Sequence, residues 1–159
     1  MPTYQHESRI RAPFEDVWDF HSRIEGLTEV TPAFMNLRVE ASRGPDGEPD
    51  PEVLEEGSTV DLSMRPFGVG PRQGWTSTIV ERRESEGAAL FRDEMSDGPF
   101  PSWTHTHSFY ADGAETIARD RVEYRLPFGE LGHLAGPFAV VGFEPMFRYR
   151  HAETRRLLE

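Results

Sequence analysis

Residues 97 to 127, DGPFPSWTHTHSFYADGAETIARDRVEYRLP, constrain the fold more than any other part of the chain. Two runs with period-two alternation, Trp103 to Tyr110 and Glu115 to Leu126, flank Ala111-Asp112-Gly113-Ala114, which predicts two antiparallel strands joined by a tight turn. Alternation puts Trp103, His105, His107 and Phe109 on one face, opposite Thr116, Ala118, Asp120, Val122 and Tyr124. Two imidazoles and a carboxylate then share a sheet face with the aromatics that belong in its interior. Buried polar groups need partners, so the pattern predicts a lined cavity rather than solid core. A four-residue turn pairs Phe109 with Thr116, His107 with Ala118, His105 with Asp120 and Trp103 with Val122. His105 and Asp120 become hydrogen-bonding neighbours in that register, and a one-residue slip would turn them to the other face.

The rest of the chain supplies the sheet and its cover. Tyr4 to Ile10 alternates as a first strand. Pro13 suits the first turn of a helix, Glu15 and Asp16 suit its positive end, and Phe14, Val17, Trp18 and His21 form its stripe. A second short helix is expected from Ile24 to Val30, ending before Pro32. Strands are expected around Leu37 and Val39 and over Ser58 to Met64, Gly74 to Arg83 and Ala88 to Met95, with Glu84 to Gly87 as a hairpin turn. Ser42 to Gly57, acidic and rich in glycine and proline, reads as an exposed connection inside one domain whose composition leaves room for local disorder.

This repetition of strand and turn predicts an antiparallel meander that needs an apolar cover on its inner face. Leu131, Leu134, Phe138, Val141, Met146, Phe147, His151, Thr154 and Leu158 recur at roughly helical spacing and supply it. Pro137 and Pro145 predict a kink, or a short helix before a longer one, with Phe147 to Leu158 the clearest helical run. Arginines 148, 150, 155 and 156 suit the negative end of that helix and are explained by a solvated face. The expected class is α+β, with six or seven strands and two short helices after the first, in one domain spanning residues 1–159.

Composition removes several function classes. No cysteine is present, which excludes disulfides, thiolate catalysis and cysteine-held metals. All 17 basic residues are arginine and 28 are acidic, a formal net charge of -11. That balance argues against a general nucleic-acid binder, and a lysine-free acidic surface suits a protein working in concentrated salt. No run approaches the ~20 apolar residues that span a bilayer, and the N-terminus has no apolar signal segment, so a cytoplasmic location is expected. No phosphate-binding loop, serine elbow or HExxH segment occurs, and no cofactor is expected.

The chain resembles the START-like, birch-pollen-allergen-like SRPBCC superfamily, and within it the polyketide-cyclase-like or ligand-binding members. The resemblance runs from Ala12-Pro13-Phe14-Glu15-Asp16-Val17-Trp18 through Pro66-Phe67-Gly68 and Trp75. It continues with Gly98-Pro99-Phe100, Trp103, His105, His107 and Phe109, and ends with Asp120, Tyr124, Pro127, Phe128 and Gly129. It implies the helix-grip fold, a curved antiparallel sheet around a long C-terminal helix, with a hydrophobic cavity between them. Relatives bind lipids, sterols, polyketides, quinones or plant hormones, and a minority are cyclases or hydrolases, so the resemblance carries a fold rather than one reaction.

The expected partner is a small apolar ligand, met by Trp75, Phe91, Asp93, Trp103, His105, His107, Phe109, Tyr124 and Phe138. Two readings of His105 and Asp120 stand side by side. One is a buried structural pair; the other is a dyad in which Asp120 orients His105, raises its basicity and leaves the second nitrogen for a ligand or a proton. Asp93 reads as an exposed acid, or, turned inward, as a partner for His107 or for an arginine such as Arg65. His105, His107 and Asp120 offer two nitrogens and an oxygen, but His6, His133 and His151 lie at no spacing that adds a ligand, so no metal is expected. Phe67 to Gly70 and Phe128 to Gly136 are candidate entrance loops, and turns on the plainer reading. Function then divides into ligand carriage or sensing, a cyclase- or dehydratase-like enzyme using His105 as base, and a protein-interaction module. A homodimer is compatible with each.

Overall fold

The computed structural model describes residues 2–98, 100–125 and 130–159, with side chains of the last helix described from Phe143 onward. Seven strands form one antiparallel sheet in the order β1-β7-β6-β5-β4-β3-β2. They are β1 (Thr3–Ile10), β2 (Arg38–Arg43), β3 (Thr59–Met64), β4 (Gln73–Ser85), β5 (Ala88–Ser96), β6 (Ser102–Asp112) and β7 (Glu115–Arg125). Between β1 and β2, which lie at opposite edges, the chain makes α1 (Phe14–His21) and α2 (Ile24–Glu29). The C-terminal α3 (Glu130–Leu158) packs against β1 and β7. This is the helix-grip α+β architecture.

Alternation in the sequence becomes alternation in burial. On β7, Thr116, Ala118, Asp120, Val122 and Tyr124 are buried while Arg121 and Arg125 are exposed. Register shifts between Val39 and Ala41 and between Ile79 and Glu81 interrupt the ladder. Such irregularities bend a strand and increase its twist, which favours a sheet that curves around a helix.

The structure corrects the expected hairpin. Asp112 pairs with Glu115, so the turn holds only two residues and the register moves by two. Phe109 faces Ala118, His107 faces Asp120, His105 faces Val122 and Trp103 faces Tyr124. Gly113, at φ +62, takes the first turn position, where a positive φ closes a two-residue loop. A shift of two keeps every side chain on its expected face.

Two further expectations change. α3 runs as a single helical element through Pro137 and Pro145, which removes the reading of a short helix before a longer one. Phe143 and Phe147, on either side of Pro145, are 8% and 1% exposed and pack on Tyr4, so burial holds the helix across the proline. The acidic connection 42–57 is ordered: Gly44 N–H donates to Glu48 O, Arg43 bridges Pro49, and buried Leu54 donates its N–H to Ser22 O at 2.8 Å. Its acidic surface remains exposed, as expected.

Candidate functional site

Between the sheet and α3 lies a cavity of about 470 Å³ with a mainly apolar wall that includes Leu37, Leu62, Trp75, Phe91, Phe100, Trp103, Phe143 and Phe147. Polar groups on the wall include Asp93 and Ser77 from β5 and β4, His105 and His107 from β6, His21 at the end of α1, and Arg150 of α3. Of the residues singled out from the sequence, Trp75, Phe91, Asp93, Trp103, His105 and His107 line this space. Phe109 sits beside it, packed on Trp18 and His21, and Tyr124 packs edge-on against Phe143 and Phe100. The side chain of Phe138 lies outside the described residues.

Asp120 stands behind the two histidines and organises them. Its Oδ1 accepts from His105 Nε2 at 2.7 Å and its Oδ2 accepts from His151 Nε2 at 2.5 Å. Oδ1 also lies 3.3 Å from His107 Nδ1. His107 Nε2 donates to Asp93 Oδ2 at 2.9 Å, and Ser8 Oγ hydrogen-bonds His151 Nδ1. The chain Ser8–His151–Asp120–His105 therefore crosses from β1 through α3 to the cavity wall, while His107 and Asp93 continue it along β5. The His105 and His107 rings stack with centroids 3.6 Å apart, and Phe91 stacks on His107 at 4.0 Å.

The electrostatics follow from this burial. Desolvation pushes the Asp120 carboxyl upward, but the His105 and His151 hydrogen bonds outweigh it and hold the group well below the usual carboxylate range. Desolvation likewise opposes ionisation of Asp93, and the His107 hydrogen bond, the attraction of His107 and His105 and a Ser77 hydrogen bond together overcome it and hold the carboxyl below its ordinary value. Burial, helped by the neighbouring His105, pushes His107 down to about 4. Burial pushes His21 down to about 3, against the pull of its bond to Val17 O. An ionised carboxylate only accepts, so His105 and His151 each donate Nε2–H to Asp120. In the neutral imidazole the Nδ1 atom of His105 then carries a lone pair, and it has no hydrogen-bond partner among the described residues. Such a group can accept a ligand hydrogen bond or a proton.

Several of these placements differ from the sequence expectation. His105 reaches Asp120 diagonally, since His107 is directly opposite it. Of the two readings of Asp93 the structure has the inward one, bonded to His107, while Arg65 bonds Gly70 O. Asp93, His105 and His107 each present one ligand atom, all within 4.8 Å of one another, so the set able to hold a metal contains Asp93 where Asp120 was expected. Three nitrogen and oxygen donors match a catalytic-type zinc site, though His107 and Asp93 now spend their atoms on each other.

Sequence reasoning also missed Ser8, His21, His151 and Arg150 as parts of the site. The last two carried a signal: Phe147, Arg150, His151, Thr154 and Leu158 share one helical stripe. His151 is 4% exposed, and Arg150 lines the cavity instead of a solvated face. In the first candidate entrance loop, Phe67 stacks on Phe34 at 4.7 Å, and the two are 74% and 48% exposed. Of the other candidate entrance loop, Phe128 and Gly129 lie outside the described residues and Glu130 onward is backbone of α3. No helix among the described residues is long and apolar enough to cross a membrane.

Known proteins share this architecture. A protein from Thermus thermophilus superposes with TM-score 0.64 at 19% identity, over 99% of this chain and all of that one. A START superfamily protein from Mycobacterium smegmatis gives TM-score 0.66 at 13% identity, covering 98% of each chain. Norcoclaurine synthase from Thalictrum flavum, in truncated form, gives 0.66 at 16% identity, over 99% of this chain and 94% of that one. At such identities the likeness is one of fold. No curated protein matches at significance. Residues 10–144 match the family described as polyketide cyclase / dehydrase and lipid transport. With that match spanning most of its length, and with the helix-grip sheet and helix around it, the chain belongs to the polyketide cyclase/dehydrase and lipid transport family, as a polyketide-cyclase-like SRPBCC protein.

Proposed function

We propose that the protein binds a small, predominantly apolar molecule in the cavity between the sheet and α3. The observation that carries this is the cavity itself: about 470 Å³, walled mainly by aliphatic and aromatic side chains, with a few polar groups among them. Small-molecule sites have this size and this ratio of apolar wall to fixed polar groups. The family's description, which pairs cyclase and dehydrase chemistry with lipid transport, supports the same class of ligand. Norcoclaurine synthase, with the same fold, has been captured with dopamine and hydroxybenzaldehyde, both small aromatics.

A second reading rests on one specific contact, the 2.7 Å bond from His105 to Asp120. It holds His105 in a single tautomer, with the free nitrogen available as a general base in a cyclisation or dehydration. His105→Ala and Asp120→Asn separate the readings once a ligand is known: turnover lost in both supports catalysis, and turnover retained removes it.

The direct test is native mass spectrometry of the protein purified from its own host, followed by denaturing extraction. A stoichiometric apolar metabolite is the expected result. If no apolar species, extracted or added, raises the mass of the folded protein, the binding reading fails.

A further inference from the structure

The cavity wall holds one cation that bonds nothing among the described residues. Six arginines are half-buried: Arg23, Arg72, Arg82, Arg92, Arg119 and Arg150. Five of them donate to named acceptors. Arg23 donates to Asp19 and Glu52, Arg72 to Asn36 O, Arg82 to Leu54 O, Arg92 to Thr106 and Arg119 to Glu7. The Arg150 guanidinium makes no hydrogen bond and no ion pair among the described residues. Asp120 and Asp93 attract it through space, but both carboxylates are taken by imidazole donors. Burial pulls the group below its ordinary arginine pKa even against that attraction.

A guanidinium has five donors and no acceptor, and leaving it unpaired in a desolvated wall is costly. A neutral apolar ligand would seal that unpaired cation inside, and a cationic one would be repelled. An anion is left. The other arginine among the described wall residues, Arg23, is already neutralised by Asp19 and Glu52. With Asp93 on the wall and Asp120 behind it, a dianion such as a phosphate monoester is disfavoured against a monoanion. The planar fork of arginine matches a carboxylate, and the pair of bonds is stronger than a neutral contact.

We propose that Arg150 recognises a carboxylate on the ligand, so that the protein takes an apolar acid with its hydrocarbon against Trp75, Phe91 and Trp103 and its carboxylate on the Arg150 guanidinium. This rests on the cavity-binding reading above and adds the ligand's charge and the residue that reads it.

The test uses matched pairs of a carboxylic acid and its methyl ester on linear twelve-carbon, one-ring, two-ring and three-ring skeletons. Binding is followed at pH 7.5 by the fluorescence of Trp75 and Trp103, which line the cavity. The ester is the more apolar member, so burial alone favours it. The expected result is an acid that binds at least about tenfold more tightly than its ester. In Arg150→Met that preference is lost while ester binding is kept. The wild-type comparison stands even if the variant folds poorly, and Arg150→Lys, which keeps the charge without the fork, should retain part of the preference. An ester bound as tightly as its acid overturns the carboxylate assignment and leaves cavity binding intact. A preference that survives Arg150→Met overturns the role of Arg150. If no acid or ester binds, both this inference and the cavity reading fall.

Discussion

Asp120 is the residue on which the polar network turns. It takes hydrogen bonds from β6 and α3 at 2.7 and 2.5 Å, and its ionised state is held by those donors against the cost of burial. Replacing it by asparagine keeps the shape but puts an amide where one donor needs an acceptor, and removes the charge. Breaking a buried, hydrogen-bonded charge costs about 3 kcal/mol. Asp120→Asn is therefore expected to lower unfolding stability by roughly that amount in urea titrations, and a loss below about 1 kcal/mol would mean that the network is not dry. The sequence showed the face on which His105, His107 and Asp120 lie, because strand alternation is local. It did not show His151 as the fourth member, because that contact joins residues 31 apart across two elements.

At the scale of elements, the β6–β7 hairpin sets the site's geometry through its turn. A four-residue turn would have put Ala118 opposite His107, and the two-residue turn puts Asp120 there. Gly113 permits this at φ +62, and a Cβ built on it meets nothing within 4 Å. Any penalty for substitution is therefore one of backbone conformation rather than collision. Gly113→Val is expected to cost about 1 kcal/mol or more, and Gly113→Asn clearly less, since asparagine tolerates the left-handed region. Equal losses for the two in urea denaturation would show that the turn is not held at positive φ. α3 shows the opposite relation between local and tertiary preference. Pro145 argues against a helix locally, yet Tyr4 packs on both Phe143 and Phe147 and the helix persists.

For the whole molecule, burying titratable groups sets the response to acid. His21 has an ordinary value of 6.5 and is pushed down to about 3 in the fold. Between those values the unfolded chain binds a proton that the folded one excludes, so stability falls as pH drops from about 6.5 towards 3. The slope reaches about 1.4 kcal/mol per pH unit. His107, pushed down to about 4, acts in the same direction. Asp120 acts lower: its stabilisation is present above its ordinary value of 3.8 and is lost as pH falls through its depressed value. Thermal or urea unfolding followed from pH 7 to pH 4 should show progressive loss. His21→Gln should flatten that slope, and an unchanged slope would show that His21 is not buried in neutral form.

The sequence by itself determined the strands, the two early helices, the inward faces of β6 and β7 and the apolar character of the interior. Each follows from periodicity between neighbouring residues, and the family resemblance joined them into one architecture. Only the tertiary structure decided which inward groups meet. It turned Asp93 to His107, brought His151 of α3 to Asp120 of β7, and left Arg150 on the cavity wall without an acceptor among the described residues. The reason is physical: a side chain's face is set by its own strand or helix, whereas its partner is set by how sheet and helix pack, and that packing is a property of the whole chain.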